Sequence, residues 1–540
     1  MPIRPNPYRK MRPGRPRVTP TTKLPIVLPG LHGLHTQSEG AILDPRWSTV
    51  LSNTVINGRG QVAARNGWTS VTTDGKAEVS RVPVHVNKVI AMGYDLVGVS
   101  ESNVWVSDDG GDSWSDATGT AVFTDDNWRL DNFKDLVVGF LEGESMLVYD
   151  GSSSSQESTS PTSGVGAAAF GRVWMSDADG QELKCSGLMD ETDWDDTDAS
   201  ADSYVFSLES VWPNQDSITA IAQHNNRLVI FGERNIVIYE DGSGSDIGID
   251  PTAMIVVDTI GGIGTIDQET VNEVNGDLWF LTTSGELYSL QRTIQEQSAP
   301  LVNLARHISD ALRDELYQSD FDIKNLRCFY SHKHRMYIIS FSHPGVNNTK
   351  DFGRAYVMDT RYPLEDGTLR CMGRWTQNIP VGNVELPNGD MAWTRWGYPG
   401  EIGTYSGWSD GDEPYEMQYR SGWLRLEHED IIGRLLFLKK ISGVFMSTST
   451  TPVVFDWAFD FSNQFQKRPA MLSQGAVAAN SEWGTAEWGV AEWSARADLL
   501  DEGVTTGGSG EYVKIGLTAD ISNEFAIQLL NIYTRVGRLL

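Results

Sequence analysis

Short apolar runs separated by polar turns recur along most of this chain. In one unit, residues 228–231 form an apolar run, residues 233–235 form a polar turn, and residues 236–239 form a second apolar run. A second unit repeats this order, with apolar runs at 278–281 and 287–290 on either side of Ser284 and Gly285. β-branched and aromatic runs bounded by such turn residues are typical of β-hairpins. The pattern therefore predicts antiparallel strands.

The same arrangement occurs seven times. The first apolar residues of the units are Leu96, Leu136, Val173, Leu228, Leu278, Met336 and Met391. Their successive separations are 40, 37, 55, 50, 58 and 55 residues, taken as differences between these numbers. Recurrence of strands on this scale is typical of a β-propeller. A stack of antiparallel sandwiches is the alternative. We expect a mainly β fold that contains a propeller.

One local motif supports the propeller. The stretch VSDDGGDSW places Ser107, Asp109, Gly111 and Trp114 in an S-x-D-x-G-x-x-W pattern, which resembles the Asp-box of propeller proteins. Ser and Asp side chains bond the backbone of a tight turn, Gly allows positive φ, and Trp buries a large apolar face. We interpret the motif as a structural turn without a catalytic role.

The units also predict how the chain is divided. Residues 75–410 are expected to form the propeller with insertions, and residues 31–74 and 411–540 a second, β-rich platform domain. A chain of 540 residues exceeds the roughly 250–300 residues that one core serves. The polar stretches 151–164 and 191–203 are expected to be loops. The second stretch lacks the calcium-loop pattern, although it contains Asp193, Asp195, Asp196 and Asp198.

One helix is predicted, over about 300–317. Apolar residues recur there at steps of three and four, which places one apolar stripe against a sheet or a neighbouring subunit. The stripe consists of Leu301, Leu304, Ile308, Leu312 and Leu316, with Ala305 and Ala311 beside it. We expect this helix to pack in the core of the platform.

Charge is distributed unevenly along the chain. Seven cations precede the first acidic residue, Glu39, and they are Arg4, Arg9, Lys10, Arg12, Arg15, Arg17 and Lys23. The rest carries 43 − 7 = 36 basic against 72 acidic residues. Such a body repels nucleic-acid phosphate at long range. The proline-rich arm, residues 1–30, is expected to be extended, either as a solvated tail or docked on an acidic neighbour.

The remaining composition narrows the cellular setting. Cys185, Cys328 and Cys371 are scattered and odd in number, which favours reduced thiols in a cytosolic folding environment. No apolar run approaches the roughly 20 residues that cross a bilayer.

Three Glu-Trp pairs recur five residues apart, at Trp483, Trp488 and Trp493. Tryptophan is favoured at interface centres, so we expect these residues to contact either the subunit's own interior or, by preference, a neighbouring subunit.

Several of these segments together resemble one family, the tail nozzle proteins of short-tailed bacteriophages, also called tail tubular protein B or stabilisation proteins. The resemblance is carried by QSEGAILDPRWSTVLSNTVINGRGQVAARNGW, NNRLVIFGERNIVIYEDG, GGIGTIDQETVNEVNGDLWFLTTSGELYSL with QRTIQEQS, the EWG repeats, and EYVKIGL to IYTRVGR. The basic arm has no counterpart in the resemblance. The matching segments are spread over most of the chain.

The resemblance implies a structural virion protein. Six copies would form a ring below the portal and adaptor, assembled in the bacterial cytoplasm, and viral DNA would pass through the lumen without specific binding. The implied partners are the chain itself, the tail adaptor, tail fibre proteins and the host surface. The resemblance implies neither a cofactor nor an enzymatic activity.

Two other classes stay open. Asp-box propellers include sialidases and other glycosidases, which use an arginine cluster with a Tyr nucleophile or paired carboxylates. A propeller that binds host glycans is the other class. No nucleophile elbow, Walker loop or HExxH motif occurs in the sequence. His332 and His334, expected on one strand face, lack a third ligand nearby, so no metal site is expected.

Overall fold

The computed structural model describes residues 21–539 with gaps. The gaps are 39, 41–42, 73–84, 88–93, 101, 124, 126, 196–201, 213–215, 245–246, 301, 320, 343–352, 378, 387, 396–400, 412, 426–433 and 474–497. Two groups of predicted contact residues therefore lie outside the described residues. They are the first six cations of the arm, Arg4, Arg9, Lys10, Arg12, Arg15 and Arg17, and the tryptophans Trp483, Trp488 and Trp493.

Six strands precede the propeller units. They are β1 (Thr21–Val27), β2 (Gly33–Leu34), β3 (Trp47–Ser52), β4 (Thr54–Ile56), β5 (Val62–Ala64) and β6 (Trp68–Ser70). The first four units then each form an antiparallel four-stranded sheet. Their strands are β7 (His85–Asn87), β8 (Tyr94–Val99), β9 (Val104–Ser107), β10 (Ser115–Asp116); β11 (Arg129–Phe133), β12 (Leu136–Phe140), β13 (Met146–Tyr149), β14 (Ser154–Glu157); β15 (Gly166–Ala169), β16 (Arg172–Ser176), β17 (Glu182–Cys185), β18 (Tyr204–Ser207); and β19 (Ile218–His224), β20 (Arg227–Gly232), β21 (Asn235–Asp241), β22 (Met254–Gly261).

Three further sets of strands complete the propeller. The fifth sheet holds β23 (Asn272–Val274), β24 (Asp277–Leu281) and β25 (Leu287–Ser289). The next set belongs to a larger sheet and consists of β26 (Leu326–Ser331), β27 (Met336–Ser342), β28 (Gly353–Asp359) and β29 (Arg370–Trp375). The last small sheet consists of β30 (Pro380–Glu385), β31 (Met391–Arg395), β32 (Ile402–Tyr405) and, from the start of the chain, β6.

The six separate sheets form the six blades of a β-propeller arrangement. The set β26–β29, which belongs to the larger sheet shared with the platform, lies in the ring between the fifth blade and the last. One buried apolar cluster joins each set to the next, from the first sheet through β26–β29 and back to the first. The seven marker residues each lie on the second strand of their set, on β8, β12, β16, β20, β24, β27 and β31. The predicted propeller is therefore confirmed.

The ring is closed by a strand that precedes the first blade in sequence. β6 pairs with β32, so that Trp68 lies opposite Tyr405 and Ser70 opposite Gly403. A Cβ on Gly403 would lie 2.1 Å from the ring of Trp68, so the close approach requires glycine there. Trp68 is fully buried and its indole donates to the carbonyl of Trp393 at 3.0 Å.

Both ends of the chain build the platform. Its strands are β33 (Tyr415–Ser421), β34 (Leu424–Arg425), β35 (Arg434–Ser447), β36 (Thr451–Phe459), β37 (Gln466–Leu472), β38 (Asp498–Thr505), β39 (Ser509–Gly510), β40 (Tyr512–Ile521) and β41 (Phe525–Leu539). One sheet has the order β38-β35-β41-β5-β4 with β1 on β41, and the other runs from β26–β29 through β2, β3, β33, β40 and β36 to β37. The platform and propeller therefore share a sheet. The proposed domain boundaries stay a prediction.

The predicted helix is shorter than expected. The structure has a 3-10 turn at Arg306–Ile308 and a helix α2 at Ser309–Leu316, whereas Pro300 and residues 302–305 are not helical and Leu301 lies outside the described residues. Leu304 instead donates its N–H to the carbonyl of Leu287 and accepts from Leu369, which leaves its backbone no helical partner. Helix α1 (Leu290–Glu296) was not predicted. Other 3-10 turns are Pro251–Ala253, Gln268–Thr270 and Ile323–Asn325. Core packing is confirmed by buried Leu312 and Leu316 of α2 and by Ile308 of the preceding 3-10 turn.

The expectation of a loop over 151–164 is wrong. The stretch 151–164 contains the edge strand β14, whose Ser154 and Glu157 pair with Tyr149 and Met146 of β13. The expected extended conformation of the arm is confirmed for Thr21–Val27, but this part is neither a solvated tail nor docked on a neighbour. The last part of the arm is strand β1, because its backbone completes the free edge of β41 with seven Cα partners. Lys23 thus lies on a sheet of its own chain, opposite Tyr533.

A buried ion pair joins the two places where the chain crosses between platform and propeller. Arg65 follows β5, and Asp410 follows β32. The Arg65 guanidinium donates to both carboxylate oxygens of Asp410, at 2.9 and 2.5 Å. Its carbon lies 4.2 Å from the ring centre of Tyr415. Burial acts to lower the pKa of Arg65, but the Asp410 carboxylate outweighs it and the pKa is raised.

We expect Asp410→Ala to lower the free energy of unfolding by about 3–5 kcal/mol, because it leaves the Arg65 charge buried without its carboxylate. Urea denaturation measures this change. The paired replacement Arg65→Met with Asp410→Leu is the control, and it should recover much of the loss because neither charge remains. A loss below about 1 kcal/mol in Asp410→Ala would show that the pair is dispensable.

Candidate functional site

The Asp-box residues meet in one turn between β9 and β10. Ser107 Oγ donates to Asp109 Oδ1 at 2.7 Å and accepts the N–H of Gly111 at 2.8 Å. Asp109 also accepts the N–H of Ser113 at 3.0 Å. Burial acts to raise the pKa of Asp109, but the hydrogen bonds from Ser113 and Ser107 outweigh it and lower the pKa to about 2. The Asp109 carboxylate therefore stabilises the turn through these hydrogen bonds.

The same turn packs on the seam that closes the ring. Gly111 has φ of +102°, and a Cβ there would lie 2.5 Å from Ile402 of the last blade. Its carbonyl accepts from Thr72 Oγ1 at 2.8 Å, and this hydroxyl accepts the N–H of Ile402 at 3.1 Å. Trp114 is 8% exposed and packs with Ile402 and Leu96. The motif thus connects the first blade to the last blade and to the segment after β6.

A cavity of about 250 Å³ lies among the innermost strands of the propeller. Its wall is polar and comes from β11, β15, β26, β30 and the 3-10 turn before β23. The lining includes Trp128, Arg129, Asp131, Gln268, Glu269, Asn272, Arg327, Cys328 and Asn383. Sequence reasoning missed this site, because its residues come from separate repeats and form no local motif.

The charges around this cavity are mostly paired. Arg129 contacts Asp267 at 2.5 Å, and Arg327 lies 4.0 Å from Glu269 and donates to Asn127 at 3.0 Å. Burial raises the pKa of Asp131, although the N–H groups of Ala168 and Asn132 act to lower it. Such a wall can hold a small polar molecule by hydrogen bonds.

The cavity offers no activated thiol. Burial raises the pKa of Cys328 to about 12, so this thiol stays protonated near neutral pH. Cys185 and Cys371 are also buried and free. In the described part of the chain, no group of three or more His, Cys, Asp or Glu side chains is placed to hold a metal ion. In that part, too, no helix is long and apolar enough to span a membrane.

The other sequence candidates do not meet as a site. His332 and His334 lie in the turn after β26 and not on a strand, because β26 ends at Ser331. His332 Nδ1 lies 2.9 Å from Glu385, whereas His334 is packed against Tyr405 with ring centres 5.0 Å apart. Asp193 accepts the N–H of Asp202 at 3.2 Å within its own loop. Asp196 and Asp198 lie outside the described residues.

No protein-family model matches this sequence, and no curated protein matches it. Three solved structures illustrate what the fold is similar to. The computationally designed Ika8 protein and the β-propeller domain of Cps50 (Swd1) from Myceliophteria thermophila are each 11% identical, with 63% of this chain and 99% of theirs covered, at TM-scores of 0.35 and 0.38. PorZ, a surface component of the type-IX secretion system of Porphyromonas gingivalis, is 11% identical over 70% of this chain and 44% of its own, with a TM-score of 0.35.

We predict that Trp114→Ala lowers the free energy of unfolding by about 3–5 kcal/mol, because it leaves a cavity at the ring seam. Denaturant unfolding measures the loss. Val122→Ala is the control, since Val122 is 76% exposed and its truncation should change stability by less than about 0.5 kcal/mol. Equal stability of the two variants would show that the indole does not support the seam.

Proposed function

We propose that this chain is a structural tail protein of a short-tailed bacteriophage, acting as the nozzle that continues the DNA channel. The observation that carries the proposal is where the resembling segments fall in the fold. They supply β3 to β6, the hairpin β20–β21, the unit β23–β25 with α1, and the long strands β40 and β41. The resemblance therefore covers the ring closure and both platform sheets as well as the blades.

Charge supports a channel role. The sequence after the arm has a formal balance of 36 − 72 = −36. DNA gains affinity from cations that replace its condensed counterions, and an acidic wall offers few of them. A tube with such a wall lets DNA pass without being held along its length.

Exposed apolar strands support assembly into a ring. β22 is the outer strand of the fourth blade, and its Ile255, Val256 and Val257 are 51%, 39% and 39% exposed. A cyclic ring repeats one interface between unlike surfaces until it closes. Six copies would form the ring, with the adaptor, tail fibres and host surface as further partners. The protein would fold in the bacterial cytoplasm and reside in the virion.

A propeller that binds host glycans is the second candidate. The polar cavity beside Trp128 favours it, since sugars are held by hydrogen bonds and aromatic faces. A glycosidase would need the same cavity to hold an acid and a nucleophile. Asp131 and Glu269 are carboxyl groups that line this cavity, and Arg129 in the same wall is paired with Asp267.

Electron microscopy of the purified protein separates these functions. We expect six-fold rings with an open centre. The matched measurements are turnover of sialosides and polysaccharides and binding to a glycan array, and we expect neither. Monomers that cleave or bind glycans would contradict the nozzle.

The arm gives a further prediction. We propose that residues 1–20 dock on an adjacent ring protein, because this segment contains six cations and no acidic residue. Its prolines restrict the free chain and so lower the entropic cost of ordering it on binding. Deleting residues 2–20, which spares β1, should reduce tail occupancy on assembled particles. Replacing the six cations by Gln keeps the prolines and should give the same loss if charge does the docking. Normal occupancy at raised salt in both variants would exclude the docking role.

A further inference from the structure

The platform carries a cationic face that differs from the rest of this acidic chain. It lies on the sheet formed by β1, β41 and β35, and we call it the basic-aromatic face. Its members are Lys23, Phe437, Lys439, Lys440, Tyr533 and Arg535. Sequence reasoning found only Lys23, because the other five come from two strands at the far end of the chain.

Register places these side chains side by side. Lys23 and Lys440 both lie opposite Tyr533, from β1 and β35 respectively, and their amines are 6.0 and 5.8 Å from its ring centre. In the neighbouring row, Arg535 lies opposite Phe437. Lys439 adds a cation 5.5 Å from the Phe437 ring. Directly opposite residues project from the same side of a sheet, so the two rows form one surface.

The four cations are available to an outside partner. None of them has an ion-pair partner within the described residues. The acids nearest in register on β38 are Glu502 and Asp501, opposite Gly443 and Val444. Lys440 Cε lies beside Gly503, whose N–H donates to Glu502 Oε2 at 3.3 Å, so Glu502 is the acid near this end of the face, although it makes no ion pair with Lys440. Glu511, beyond β39, is paired with Arg425 at 3.1 Å.

The composition of the face favours nucleic acid over protein. Protein interfaces are depleted in lysine, whereas ammonium groups are common ligands of phosphate. Aromatic rings between cations are also typical of surfaces that bind nucleic acid, where the cations follow the backbone. Phe437 is 40% exposed and can contact sugar or base. The chain also enters β1 at Thr21, opposite Arg535, after six further cations in sequence.

We infer that the basic-aromatic face binds the phosphate backbone of DNA without sequence preference. It would be a local contact point on a chain whose body otherwise repels DNA. This inference deepens the proposed nozzle function by naming the surface that meets DNA, but binding by the purified chain does not require the ring.

Fluorescence anisotropy of a short labelled DNA duplex, titrated from about 50 to 200 mM salt, tests the inference. The variant carries Lys23→Glu, Lys440→Glu and Arg535→Glu. We expect at least about tenfold weaker binding and a salt slope smaller by about 3, one for each lost phosphate contact. The matched control carries Arg234→Glu, Arg313→Glu and Lys324→Glu, which changes net charge equally at exposed residues elsewhere. It should bind within about twofold of the wild type.

Equal weakening in both variants would overturn the inference, since net charge alone would then govern binding. Absence of duplex binding by the wild type at low salt would also overturn it, as would loss of self-association instead of DNA binding, which would mean that a second copy covers the face. If the triple variant does not fold, Lys440→Gln with Arg535→Gln replaces it and should reduce the slope by about 2. Rings without duplex binding refute this inference alone, and duplex binding without rings refutes the nozzle alone.

Discussion

The Arg65–Asp410 ion pair is the contact on which the arrangement of the two parts depends. Both of its residues are buried, and they are 345 positions apart in sequence. Arg65 precedes the strand that closes the propeller, and Asp410 follows the last strand of the same blade. The backbone of Asp410 also bridges Trp68, and Asn66 donates its N–H to Tyr405 at 3.1 Å. The same group of contacts therefore closes the ring and joins it to the platform.

Charge is distributed unevenly over the fold. Acidic residues are spread over both the blades and the platform, while Lys23, Lys439, Lys440 and Arg535 lie together where β1, β35 and β41 meet. One chain can therefore repel DNA over most of its surface and still contact it at one place.

Local pattern predicted the repeats well, because each hairpin is specified within about 15 residues by its apolar run and turn. The marker residues from Leu96 to Met391 thus fall on equivalent strands. Long-range pairing was not predictable in the same way. No residue near Trp68 in sequence indicates that it pairs with Tyr405, and none near Lys23 indicates that it pairs with Tyr533. The cavity lined by Arg129 and Arg327 is likewise built from separate blades. The apolar periodicity predicted a helix that is too long. Leu304 makes its backbone hydrogen bonds with Leu287 and Leu369 and not within a helix.

We propose that the closed propeller, joined to its platform, serves as a channel subunit. Cryo-electron microscopy of the assembled particle tests this most directly. The predicted result is one six-fold ring at the tail whose subunits fit this fold, with DNA density continuing through its centre. Particles whose tail ring contains another protein, with this chain absent or found only as a peripheral appendage, would contradict it.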